Sequence, residues 1–141
     1  MTDLKLSTSR HINAPIQAVF NAWLDPDMLA QFMLPGEGMS VAEASNEATV
    51  GGRFSIVMQS PDQQFPHGGE YLEISPYSRI IFTWESPFST EGSQVTLTFS
   101  ENPKGGADIH LLHVKFPDSE SRDNHLAGWT RILDTLNGVL T

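Results

Sequence analysis

The 141-residue sequence contains no cysteine. That absence excludes disulfide scaffolds, thiolate zinc sites and thiol nucleophiles. It leaves the compartment unconstrained by redox chemistry, with a reducing cytoplasm as the expected location. Cations are also scarce: 8 Lys and Arg stand against 17 Asp and Glu, for a formal charge of −9 and a pI near 4.8. Such a balance repels phosphate backbones and anionic lipid, so neither nucleic acid nor a membrane surface is an expected partner. No run approaches the roughly 20 apolar residues that span a bilayer, and residues 1–6 show no basic region leading into an apolar stretch. The GxxxxGK[ST] phosphate loop, the GxGxxG turn and the GxSxG elbow are all missing, which removes the usual carriers of nucleotide hydrolysis and serine esterase chemistry.

What is present fits a single domain covering residues 1–141, large enough to bury about 70% of its unfolded surface. Leu4 to Ile12 alternates as a strand and ends at Asn13-Ala-Pro, with Pro15 suited to the first position of a helix. Ile16, Val19, Phe20 and Trp23 keep helical spacing up to Asp25-Pro26, where Asp25 can cap a second short helix carrying Met28, Leu29 and Phe32. From residue 40 the pattern changes to short alternating runs between turn residues, the mark of an antiparallel meander. The expected strands are 41–45, 53–59, 70–74, 79–85, 94–101 and 108–116, with Gln59 to Gly69 and Met33 to Met39 as loops able to gate a pocket or touch a partner. One parity of each later run is apolar, including Leu72 and Ile74 in the third, and a sheet with one apolar face needs a cover. Leu126, Trp129, Ile132, Leu133, Leu136, Val139 and Leu140 supply it as one stripe of a C-terminal helix, with Gly128 allowing close approach to the sheet. The fold class is therefore α+β: a strand, two short helices, six strands and a long helix.

Five segments carry a family likeness. They are INAPIQAVFNAWLDPDML (12–29), GGRFSIVM (51–58), GGEYLEISPYSRIIFTW (68–84), SQVTLTF (93–99), and HLLHVKF (110–116) continued by HLAGWTRILDTL (125–136). In this order they resemble the homologues of the activator of the ninety-kilodalton heat-shock protein ATPase, a branch of the START-like, polyketide-cyclase-like (SRPBCC) superfamily. The resemblance implies a helix-grip fold, with a curved antiparallel sheet of about seven strands wrapped on the C-terminal helix. It also implies a broad range of roles: lipid and sterol carriers, cyclases, hydrolases and co-chaperone domains share this shape. Two positions depart from the family pattern. Gln31-Phe32 stands where a Trp is common, and Lys115 stands before Phe116 where a Gly is usual.

The candidate site is the interior between sheet and helix. Phe54, Ile56, Met58, Phe82, Trp84, Leu97 and Leu111 fall on the apolar parity of the strands, and Trp129 on the helix stripe. His113 shares parity with Ile109 and Leu111, and His125 lies four residues before Trp129, so the two histidines are expected to meet. Two readings stay open for them: bonding to a backbone carbonyl, a buried water or the pocket edge, or orienting a ligand carbonyl or hydroxyl. Trp84 and Trp129 are either pocket walls or ordinary core. Glu70 shares parity with Leu72 and is the one carboxylate of its strand expected to look inward, at the rim. His110 and His113 point to opposite faces of one strand and cannot share a metal. No metal, no cofactor and no catalytic residue is assigned. The expected function is binding of a small apolar molecule (lipid, polyketide or flavonoid-like) by a monomer or homodimer. The alternatives are a protein-interaction module with a chaperone as partner and, after it, a cyclase- or hydrolase-like enzyme using His113 or Glu70.

Overall fold

The computed structural model describes residues 4–36, 38–86 and 91–140. Residues 1–3, which bear on a leader, and Glu37 of the loop from Met33 to Met39 lie outside the described residues. Strand β1 (Lys5–Ile12) is followed by helices α1 (Ile16–Ala22) and α2 (Pro26–Phe32). Six strands come next: β2 (Ser40–Asn46), β3 (Arg53–Gln59), β4 (Gln64–Ser75), β5 (Arg79–Thr83), β6 (Gln94–Glu101) and β7 (Ala107–Val114). Helix α3 (Ser119–Leu140) ends the chain's regular structure. All strand pairs are antiparallel, in the order β1-β7-β6-β5-β4-β3-β2, so β2 to β7 form a meander and β1 is added beside β7.

Local sequence sets the boundaries. The Asp25 carboxylate accepts the Asp27 N–H at 2.9 Å and Pro26 opens α2, where a missing N–H costs nothing. Pro15 sits just outside α1 as its N-cap, with ψ near 147°, rather than as its first helical residue. At the start of α3 the Asp118 carboxylate accepts the Ser121 N–H at 2.7 Å.

The largest departure from expectation is β4. It begins at Gln64, not Glu70, and pairs with β3 from Gln64↔Gln59 to Glu70↔Arg53, so the expected loop shrinks to a tight hairpin at residues 60–63. Pro66 and Gly68-Gly69 read as turn punctuation in sequence, yet they lie within the strand. Gly69 is required there because a side chain would meet the Thr83 carbonyl and the Phe54 ring. A bulge then inserts one residue between Tyr71↔Phe82 and Glu73↔Ile81. Tyr71 and Ile74 consequently both face the interior, opposite Phe82 and Ile80, while Leu72 is the extra residue and is 41% exposed. The inward placement of Leu72 and of Glu70 is thereby corrected: Tyr71 points in, so its neighbour Glu70 points out, across from exposed Arg53.

The core lies between the sheet's inner face, α1, α2 and α3. Trp129, Ile132, Leu133 and Leu136 are buried on α3, whereas Leu126 is 37% exposed and leaves the expected stripe. Gly128 is buried against Pro35, whose Cβ would lie 3.2 Å from an added side chain. Its close approach is therefore to the segment after α2 and not to the sheet. No helix among the described residues is long and apolar enough to cross a membrane.

Candidate functional site

An open pocket of about 820 Å³ lies between the sheet and the N-terminal half of α3. Its apolar wall comes from Met58, Phe65 and Trp84 on the sheet side and from Trp129 and Ile132 on α3. Pro35, Gly36 and Met39 close it from the segment after α2. Its polar edge is formed by His67, His125, Asn124, Ser121, Asp118 and Glu120. Volumes of about 300–1,000 Å³ with a mostly apolar wall and a few convergent polar groups are those of small-molecule sites.

Deeper in, the space closes. Beneath α2 a void of about 10 Å³ is all that separates Trp23, Leu29, Met33, Phe54, Ile56, Tyr71 and Phe82, room for about one water at most. Stacked rings fill this region: Phe54 and Phe82 meet edge to face at 5.2 Å, and Trp23 and Phe32 at 4.9 Å. Phe32, at the position where a Trp is usual, is fully buried there.

A polar cluster joins cavity and core. His113 is fully buried; its Nδ1 receives the Trp129 indole N–H at 3.0 Å, and its Nε2 lies 2.7 Å from Ser93 Oγ. Indole N–H can only donate, so Nδ1 must be the acceptor and the single proton of the neutral ring sits on Nε2, donating to Ser93. Burial, with a smaller contribution from His125, pushes the His113 pKa down to about 3. The His125 ring stands perpendicular to His113 at 5.3 Å, and its Nδ1–H donates to the Ser121 carbonyl at 2.8 Å, leaving Nε2 unassigned. His67 on β4 donates from Nδ1 to the Phe65 carbonyl at 2.9 Å and stacks on Trp84 at 5.0 Å. Desolvation is the main cause that lowers its pKa to about 4. The Nε1 atom of Trp84 and Oγ of Ser121 are buried polar atoms on this wall without a hydrogen-bond partner.

Of the ten residues placed at the site from sequence, Met58, Trp84, His125 and Trp129 line the large cavity. Phe54, Ile56 and Phe82 border the small void, and Leu97 and Leu111 lie in closed core at 0% exposure. His113 is held behind Trp129. The two histidines do meet, but His113 bonds two side chains, neither a backbone carbonyl nor a water. Ser93 and His67 were not anticipated as site residues. His67 had a signal in the alternation of Phe65, His67 and Gly69, which all face inward once β4 is extended; Ser93 had none. Among the described residues, no group of three or more His, Asp or Glu side chains is arranged to hold a metal.

A seven-stranded antiparallel sheet gripping one long helix, with a cavity between them, defines the START-like (SRPBCC) class. The chain belongs to the family described as activator of Hsp90 ATPase homolog 1-like protein, which matches residues 13–141. It is similar to a protein of known structure from Chromobacterium violaceum at 28% identity, covering 96% of both chains with a TM-score of 0.85. An AHSA1-like protein from Aeromonas hydrophila is 27% identical over 96% of this chain and 90% of that one, TM-score 0.82. A Staphylococcus aureus protein at 18% identity, covering 99% of this chain and 94% of its own with TM-score 0.84, shares the fold. None of the curated proteins compared with the chain matches it.

Proposed function

We propose that this chain is a binding domain for one small, largely apolar molecule, held between β3, β4 and the first half of α3. The observation that carries this reading is the cavity itself. About 820 Å³ of space is bounded by two buried tryptophans whose rings lie 4.9 Å apart. Apolar walls of this kind attract guests in proportion to the area removed from water, about 25 cal/mol per Å² before the cost of immobilisation.

The contact between the Ser93 hydroxyl and His113 does not support hydrolytic chemistry. His113 keeps its proton on the nitrogen that faces Ser93, because Trp129 occupies the other nitrogen as a donor. A general base needs the reverse tautomer, with a free lone pair toward the hydroxyl.

Native mass spectrometry of freshly purified protein tests the reading, together with titration of alcohols, ketones and flavonoid-like compounds against tryptophan emission. Saturable change with one molecule per chain is expected. If no compound shifts the emission and none co-purifies, the binding reading fails and a protein-interaction role takes its place.

A further inference from the structure

We infer that the cavity selects uncharged amphiphiles, with an alcohol or ketone as polar group, over carboxylates of the same carbon skeleton. This inference rests on the binding reading and adds the chemical class of the guest. Among the described residues no Lys or Arg lines the cavity, whereas Asp118 and Glu120 stand at its edge. Of the cations on neighbouring segments, Arg122 pairs with Asp123 at 3.1 Å, and the side chain of Lys115 lies over Gly92.

The start of α3 is the one feature here that would favour an anion, since free N–H groups and the helix dipole point outward from it. One of those N–H groups is capped from within, the Asp118 carboxylate accepting the Ser121 N–H, and Glu120 adds a second negative charge in the first turn. A guest carboxylate at this edge would sit beside two like charges with no Lys or Arg on the described lining to offset them. The remaining hydrogen-bonding groups of the wall are Asn124, the Ser121 hydroxyl, the Trp84 indole N–H and Nε2 of His125, whose other nitrogen is committed to the Ser121 carbonyl. A hydroxyl or carbonyl oxygen suits these groups. The overall charge of −9 adds a further, salt-dependent penalty on anions.

The test compares 1-decanol with decanoate at pH 8 in the wild-type chain and in Glu120→Lys. Decanol is expected to bind at least about 10-fold more tightly than decanoate to the wild type. In Glu120→Lys, an exposed position, the ratio of the two affinities should shift by roughly 3-fold or more toward decanoate. Decanoate binding as well as decanol, or a ratio that Glu120→Lys leaves unmoved, overturns the charge inference while the binding reading stands. No binding of either compound at any accessible concentration removes both.

Discussion

The indole N–H of Trp129 donates to Nδ1 of His113 at 3.0 Å, and so ties the middle of α3 to the end of β7. The same indole forms part of the cavity wall, so one side chain both fastens the covering helix and meets the proposed guest. Removing it should be costly on both counts. Trp129→Ala deletes a side chain that is 2% exposed, at about 3–5 kcal/mol. Trp129→Phe keeps most of the packing but leaves His113 Nδ1 buried and unpaired, at about 1–3 kcal/mol. Urea unfolding of both variants checks the order Ala worse than Phe. A Phe variant as stable as wild type would show that the hydrogen bond contributes nothing.

The neutral state of His113 gives the fold a pH dependence of known sign. Its pKa is about 3 when folded and near 6.5 when unfolded, so the unfolded chain binds the extra proton across that interval. Its contribution is complete above about pH 6.5 and is lost as pH falls toward 3, by up to about 1.4 kcal/mol per pH unit. His67, lowered to about 4 mainly by desolvation, acts in the same direction between 6.5 and 4. The imidazole resonances of His113 should stay flat in NMR from pH 8 to 5. A titration midpoint near 6.5 would mean the ring is solvated, and that the Ser93–His113–Trp129 chain does not persist in solution.

Lys115 holds a left-handed backbone conformation. Its φ is +68°, a region that glycine enters freely and other residues enter at a cost of roughly 1 kcal/mol, and its N–H donates to the Leu4 carbonyl at 3.0 Å. Lys115→Gly should raise stability by roughly 0.5 kcal/mol, the relief being partly offset by the freer unfolded chain. A fall in melting temperature would show that packing of the lysine stem over Gly92 outweighs the strain.

Most of the architecture was legible because alternation on β3, β5, β6 and β7 is unbroken, so parity alone placed Phe54, Ile80, Leu97 and Ile109 inside. Parity failed on β4 because it counts residues, and the bulge at Leu72 adds one without reversing Ile74. Pro66 and the Gly68-Gly69 pair hid the strand's first half, and with it Phe65 and His67 on the cavity wall. The cavity itself could not be read. Whether inward-facing residues meet closed core or open space depends on how α3 sits over the sheet, and the contact of Gly128 with Pro35, which joins α3 to the segment after α2, is one that no periodicity encodes.

That separation of closed core from open cavity yields the sharpest test of where a guest sits. Ile132 on α3 lines the cavity, and a larger side chain there has empty space to enter. Leu97 on β6 is fully buried and lines neither the cavity nor the small void, and enlarging it should force neighbours off their rotamers at about 1–3 kcal/mol. Ile132→Trp should therefore fold with near wild-type stability yet weaken binding of a neutral amphiphile by about 10-fold or more, by occupying its place. Leu97→Trp should do the opposite, lowering the melting temperature by several degrees while the protein that remains folded still binds. Thermal unfolding and a decanol titration on both variants give the four numbers needed. If Leu97→Trp abolishes binding without loss of stability and Ile132→Trp leaves affinity intact, the guest lies in the middle of the sheet, and the cavity at the start of α3 is not its site.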